Sequence, residues 1–298
     1  MERHEIETFL TLAEELHFRR TAERLGLAQG RVSQIIKKLE RRIGAPLFER
    51  TSRHVRTTPL GEQLAEELRP HVDGIRQALQ RAVDAGRGVG GVLRAGFLGA
   101  AAGQLLLETV GTFTDRHPDC AVQIAETQWH DTVSRLVQRE VDVQFIDLLF
   151  AGHPALTAGP ALLTEPRMLA VPADHALAAE RSVPLAMLAD HPLIQGLTDA
   201  PHTFRTDRFP HRTPDGRPVT PGPQAASFGE ALTLIAAGKG VFPVGAHAAR
   251  FYPRPDIAYV PIHDAPPIAW GPVWLTANSS ERIREFVRAA KDANTATA

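Results

Sequence analysis

The sequence predicts a multi-domain protein: a small basic helical head, a long linking helix, and an α/β body built on parallel strands. Three observations carry this reading. From Arg19 to Arg56 there are eleven Lys and Arg against three acids, although the 298-residue chain has a formal net charge of -1. Two amphipathic helical stretches between Phe18 and Ile43 flank Gly26, a residue free to turn the chain at positive φ. From Val92 onward, apolar segments of strand length and helix length alternate.

In the head, a first helix is expected from Arg3 to Leu16, with Ile6, Phe9, Leu10, Ala13 and Leu16 as its buried stripe. Phe18, Ala22 and Leu25 mark a second. A third runs from about Gln29 to Ile43 and buries Val32, Ile35, Ile36, Leu39 and Ile43, with Gly44-Ala45-Pro46 stopping it. Its other face carries Gln29, Gly30, Arg31, Ser33, Gln34, Lys37 and Lys38. Amide, hydroxyl and guanidinium groups suit base edges in a major groove, and ammonium groups suit phosphate. Leu47–Arg50 and His54–Thr57 read as a short ribbon in which Arg50, Arg53 and Arg56 add positive charge suited to phosphate or minor-groove contact. Outside Arg19–Arg56 the chain carries nine more acids than Lys and Arg, so a duplex-binding head sits on an acidic body.

Thr58 caps the linking helix and Pro59 occupies its first position, where a missing N–H does no harm. Leu60, Leu64, Leu68, Val72, Ile75, Leu79 and Val83 follow at intervals of three or four. So long a seam is buried most economically against a second copy, making a dimer. Pro70 removes one backbone bond without interrupting the seam, so one bent helix is expected. Gly86-Arg-Gly-Val-Gly-Gly91 matches G-x-G-x-x-G, but a helix precedes it and a strand follows. That order is the reverse of a dinucleotide site, and the segment reads as a hinge.

Strands are expected at Val92–Phe97, Ala121–Glu126 and Val141–Ile146, with helices between them. Ligands in such sheets bind beyond the carboxyl ends of the strands, which selects Leu98, Gly99, Ala100, Ala101, Thr127, Gln128, Trp129 and Asp147. Further strands are expected at Met168–Val171, Pro192–Ile194, Val241–Val244, Ile257–Pro261 and Ile268–Thr276, with helices at Phe228–Ala237 and Ser280–Ala293. Residues 196–223, rich in Pro, Gly and Thr, read as loop. Gln195, Phe204, Ser227, Phe228 and Phe242 join the candidate ligand contacts, although such aromatics, Trp129 included, are more often plain core.

The segment from His17 to Arg53 resembles the winged helix-turn-helix of the LysR-type bacterial transcriptional regulators. Leu47-Phe-Glu-Arg-Thr51 and Thr58-Pro-Leu-Gly61 are its most specific parts. Ala28 stands where that family has a capping Ser, and Gly30 where it has Pro; losing such a cap costs about 1 kcal/mol. In the body the resemblance rests on Gly96, Phe113, Pro118, Val141-Asp142, His191-Pro192-Leu193, Ser227 and Ala236–Pro243. It implies a two-lobed α/β domain similar to periplasmic binding proteins, with the chain crossing near Leu163–Pro166 and Asp264–Pro267 and an effector held between the lobes. The implied organisation is a head over 1–58, a linker and dimerisation helix over 59–87, and an effector domain over 88–298. Within that domain, lobe I covers about 92–163 and 267–298, and lobe II about 164–266. Where the family often has Ser or Thr holding an effector carboxylate, this chain has Leu98-Gly-Ala-Ala-Ala102. The implied partners are double-stranded DNA, a small-molecule effector, and the chain itself as a dimer or dimer of dimers. A ligand-independent regulator, whose second domain serves only oligomerisation, is the alternative.

No run of eighteen apolar residues suggests a membrane span, and no basic and apolar leader opens the chain, so a cytoplasmic protein is expected. The single Cys120 cannot form an internal disulfide and reads as a small buried hydrophobe. No C-x-x-C, H-E-x-x-H or G-x-S-x-G occurs, so neither a metal, a cofactor nor catalysis is expected. Asp190-His191 with Ser182 or Ser227 makes a poor triad, because His191-Pro192 fits the start of a strand.

Overall fold

A computed structural model describes residues 2–50, 55–86 and 88–297 and divides the chain into two compact units, Met1–Val83 and Asp84–Ala298. The first holds α1 (Arg3–Glu15), α2 (Phe18–Leu25), α3 (Gln29–Ile43), β1 (Phe48–Arg50), β2 (Val55–Thr57) and most of α4 (Pro59–Gly86). Phe9, Leu12, Val32, Ile36, Leu39 and Leu47 are fully buried at its centre. Each such aliphatic or aromatic side chain contributes about 1.5–3 kcal/mol on leaving water. Two expected core residues are not there. Leu16 ends α1 as a left-handed cap at φ 48°, and it and Ile43 are exposed. Leu12, outside the expected stripe, is fully buried instead.

Polar contacts fix how these elements meet. The Glu5 carboxylate of α1, fully buried, accepts the Glu2 N–H at 2.9 Å and Arg42 at 3.0 Å, and forms an ion pair with Lys38 Nζ at 2.8 Å. Glu40 at the end of α3 accepts the N–H groups of Leu47 and Phe48 at 3.1 and 3.3 Å, which sets where the antiparallel ribbon begins. Thr58 Oγ1 accepts the Gly61 N–H and donates to the Pro46 carbonyl, both at 3.0 Å. A Cβ on Gly61 would collide with the Leu47 carbonyl, so the motif Thr58-Pro-Leu-Gly61 is a close approach of α4 to the ribbon.

α4 is one helix through Pro70. The single seam expected along it is divided. Leu64, Leu68 and Val72 pack on the head's own core, while Leu60, Ile75 and Leu79 are exposed; the side chain of Val83 lies outside the described residues.

The second unit has two lobes. In the first, β3 (Gly91–Phe97), α5 (Ala100–Arg116), β4 (Cys120–Glu126), α6 (Thr132–Val137), β5 (Val143–Asp147), β6 (Leu156–Ala158) and β7 (Leu163–Glu165) follow in order. β3 lies between parallel β4 and β5.

The chain then builds the second lobe: β8 (Arg167–Pro172), β9 (Leu193–Gly196), α7 (His202–Arg208), β10 (Pro221–Ala225), α8 (Phe228–Ala236), β11 (Phe242–Gly245), α9 (Ala248–Phe251) and β12 (Ile257–Pro261). It returns through β13 (Ile268–Leu275), antiparallel to β5, β6 and β7, and ends in α10 (Glu281–Thr297). The first sheet is therefore mixed rather than purely parallel, because β13 arrives from the other lobe.

In the second lobe β8 sits between antiparallel β11 and β12. β9 and β10 pair in parallel with each other, and an isolated Leu193–Val241 bridge ties β9 to the residue before β11. β10 and α7 fall in the stretch expected to be loop; β10, with Pro221 and Pro223, pairs only with β9, an edge position that tolerates proline.

Phe113 of α5 and Phe286 of α10 stack edge to face at 5.0 Å over the first sheet, both fully buried. Arg282 of α10 donates to the carbonyls of Val89 at 3.1 Å and Val92 at 2.8 Å, and to that of Gly90, pinning the glycine segment to the body. Gly91 has φ 105°, and a Cβ there would press on this guanidinium. Cys120 is buried at the start of β4.

Glu5 supports a pH prediction. Lys38, the Glu2 N–H and Arg42 together outweigh burial and hold its carboxyl down to about 2, from an ordinary 4.5. A lowered folded pKa stabilises fully above the ordinary value and is lost as pH falls from 4.5 toward 2. Glu5→Gln should speed amide hydrogen exchange in α1 near neutral pH, with the difference from wild type vanishing as acid approaches the lower limit.

Candidate functional site

Two sites emerge, one in each unit. In the head, Gln29, Gly30, Arg31, Gln34, Lys37 and Lys38 are exposed along α3, Ser33 is half-buried beside them, and Val32, Ile36 and Leu39 are buried on the opposite side. α3 has no side-chain cap at Ala28; the Ala28 carbonyl accepts the N–H groups of Arg31 and Val32 at 2.9 and 3.2 Å. The positive charges separate into two groups. Arg20 and Arg24 pair with Glu14 and Glu15 of α1, and Lys38 and Arg42 with Glu5. Arg31, Lys37 and Arg41 on α3 and Arg56 on β2 have no ion pair with a described residue and are exposed. Arg53 lies outside the described residues, as does the side chain of Arg50.

In the body, a cavity of about 310 Å³ opens between the two lobes. Of the expected contacts, Leu98, Gly99, Thr127, Gln128, Trp129, Asp147, Phe204, Ser227, Phe228 and Phe242 line it. Three do not. Ala100 gives its N–H to Tyr252 Oη at 3.2 Å, Ala101 is buried in α5, and Gln195 turns its amide back to the Leu193 carbonyl at 2.8 Å. Six of the eight residues chosen by the strand-end rule line this cavity, whereas in the first turn of α5 the side chains of Ala101 and Ala102 are buried in the core.

Aromatic rings form a continuous line along the cavity. Phe150 stands 4.3 Å from Phe204, Phe204 6.3 Å from Phe209, Phe209 5.8 Å from Phe242, and Phe242 5.6 Å from Trp129. Trp129 continues it to Phe228 at 6.2 Å, and Phe228 to Tyr252 at 4.7 Å. Ser227 Oγ caps α8 by accepting the Glu230 N–H at 3.2 Å. Asp190 is engaged by Arg217 at 2.9 Å, so no triad assembles around His191.

Two charged clusters stand at and behind the cavity wall, and of their members sequence reasoning had selected only Asp147. Arg208, at the end of α7, donates to Asp147 and to Asp207, and Asp207 also takes Arg167 at 2.6 Å. Burial first, and then the Arg208 charge, lower the Arg167 pKa against the pull of Asp207 and Asp147. The other cluster stands where the chain passes between lobes. Glu165 Oε1 accepts Trp270 Nε1 at 2.7 Å and pairs with His247 Nδ1 at 2.6 Å, while Oε2 accepts the His247 N–H at 2.7 Å. Nothing local in the sequence marks either cluster. The only hint of the second is Gly245, where a Cβ would strike the Glu165 carboxylate.

Among the described residues, no group of three or more His, Cys, Asp or Glu side chains is placed to hold a metal, and no helix is long and apolar enough to cross a membrane.

A helical head with an exposed polar and basic helix, followed by a two-lobed α/β body around a cavity, defines a class: DNA-binding regulators with an effector-binding domain. The comparisons narrow it. The family pattern "LysR substrate binding domain" matches residues 86–295, and "Bacterial regulatory helix-turn-helix protein, lysR family" matches residues 4–62. The transcriptional regulator IlvR of Caulobacter vibrioides is 32% identical over 288 residues, covering 94% of each chain. The regulator AlsR of Bacillus subtilis is 29% identical, covering 87% of this chain and 85% of its own. The structure of full-length CbnR complexed with its target DNA covers 98% of this chain and all of its own, with a TM-score of 0.67 at 21% identity. The chain belongs to the LysR family of bacterial transcriptional regulators.

Glu165 yields a second prediction. Burial alone would raise its carboxyl, but the hydrogen bonds and charge of His247, with Trp270, hold it below the ordinary 4.5. Glu165→Leu strands one buried donor of Trp270 and two part-buried donors of His247 and should destabilise the chain by about 3 kcal/mol near neutral pH. In thermal melting, the gap from wild type should narrow as pH falls below 4.5, because the lowered folded pKa contributes only above that value.

Proposed function

We propose that the chain is a cytoplasmic, non-enzymatic regulator. In this reading Gln29, Arg31, Ser33 and Gln34 of α3 touch base edges in the major groove, with Gly30 allowing close approach. Lys37, Arg50, Arg53 and Arg56 hold phosphate or minor groove. Lys38, engaged by Glu5, serves the fold of the head more than the duplex. The observation that carries the reading is the polar face of α3, exposed opposite buried Val32, Ile36 and Leu39. The functional borders follow: DNA contact over 1–58, linking and pairing over 59–87, effector binding over 88–298. The 310 Å³ cavity supports a small-molecule effector over a second domain that only oligomerises.

Gln34→Ala should relax preference at one base position, costing about 1–3 kcal/mol on the right site and little elsewhere. Electrophoretic mobility shifts on a randomised operator check this; a uniform loss across sequences would remove Gln34 from base reading. Arg56→Ala should weaken all duplexes alike and flatten the log–log salt dependence by about one unit. An unchanged slope takes Arg56 out of the phosphate set.

Pairing between copies is assigned to the distal half of α4, where Ile75 and Leu79 are 58% and 54% exposed. Ile75→Glu should shift sedimentation toward the monomer; an unaltered profile would place the dimer contact elsewhere.

A further inference from the structure

We propose that the cavity takes an uncharged, mainly apolar aromatic ligand and discriminates against carboxylates. The proposal rests on the effector reading above and names its ligand class.

The positive charge on the cavity wall is already paired. Arg208, 5% exposed, already faces two carboxylates, Asp147 and Asp207, and Asp207 is shared with Arg167. Two guanidinium groups thus meet two carboxylates. Arg167 Nε makes no hydrogen bond, but Arg167 is 2% exposed and is not on the cavity wall. An incoming carboxylate would have to displace Asp147 from Arg208 or lose its water without gaining a cation.

The other place where such folds offer an anion a partner is the start of α5, which meets the cavity at Leu98 and Gly99. Its first N–H, that of Ala100, is taken by the neutral phenol of Tyr252. Glu126, exposed on the rim, adds negative charge that further disfavours an anion.

What remains is ring surface and neutral polarity. Trp129, Phe228 and Phe242 offer faces and edges for an aromatic guest. Ser227 Oγ accepts the Glu230 N–H, leaving its own proton to donate, and Gln128 brings an amide with both donor and acceptor. A bicyclic or monocyclic aromatic with one hydroxyl or amide group satisfies both demands.

The test uses the full-length protein and three probes of one shape: naphthalene-2-methanol, 2-naphthoate and 2-naphthylmethylammonium, titrated by calorimetry. The alcohol is expected to bind, at least about tenfold tighter than either charged probe. Trp129→Ala should weaken it by a similar factor. Asp147→Asn keeps an acceptor for the Leu149 N–H, at 2.9 Å in the wild type, but removes half of the neutralisation of Arg208. That variant should gain affinity for 2-naphthoate by about tenfold.

If 2-naphthoate or the ammonium probe binds the wild type as tightly as the alcohol, the neutral class is wrong while the effector reading stands. If none of the three binds at millimolar concentration to protein that is folded by circular dichroism, both fall. Should Asp147→Asn fail to fold, the ranking of the three probes on wild type decides.

Discussion

A buried carboxylate where the chain passes between lobes holds the effector-binding unit together. Glu165 ends the last short strand of the first lobe, and one residue later the second lobe begins. Its two oxygens collect a donor from Trp270, on the strand that brings the chain back, and two from His247, just after edge strand β11 of the second lobe. In a low-dielectric interior each of these donors would be expensive to leave unpaired, so outgoing and returning passages are fixed to one point. Both His247 and Trp270 line the cavity, which therefore takes its shape from the same contact.

The DNA-binding unit follows a similar logic with different chemistry. Short polar links set the angles between small elements that have little apolar surface to spare. Glu5 ties α1 to α3, Glu40 ties α3 to the ribbon, and Thr58 with Gly61 brings α4 against the ribbon's first strand. This division of labour sorts the Lys and Arg side chains. Those facing acids within the unit shape it, and those left facing water on α3 and β2 carry the field that a polyanion meets. α4 is divided in the same way: its proximal apolar residues complete the head, and its distal ones stay exposed.

Read along the chain, periodicity was informative wherever one element had one buried face. The helices of the head, the long linking helix and the alternation of β3, α5, β4 and β5 all announce themselves through spacing, with errors at ends such as Leu16 and Ile43, where a left-handed cap or the last turn leaves the core. It failed between 196 and 223. There the seven-residue α7 and the proline-bearing edge strand β10 are too short, and too rich in Pro, Gly and Thr, to impose a period. The rule that ligands gather beyond strand ends chose six residues that line the cavity, yet also chose Ala100, whose N–H is given to Tyr252, and Ala101, which is buried in its helix.

The sequence alone determined the family, the order of the domains and the polar face of α3, because all three are written in local spacing and in motifs a few residues long. Only the tertiary structure decided the chemistry of the cavity. Arg208 meets Asp147 across 61 residues of chain and Glu165 meets Trp270 across 105, and pairs at such separations leave no periodic trace. Whether a buried guanidinium is neutralised or left for a ligand depends on which side chains the fold carries to it, and no local pattern encodes that.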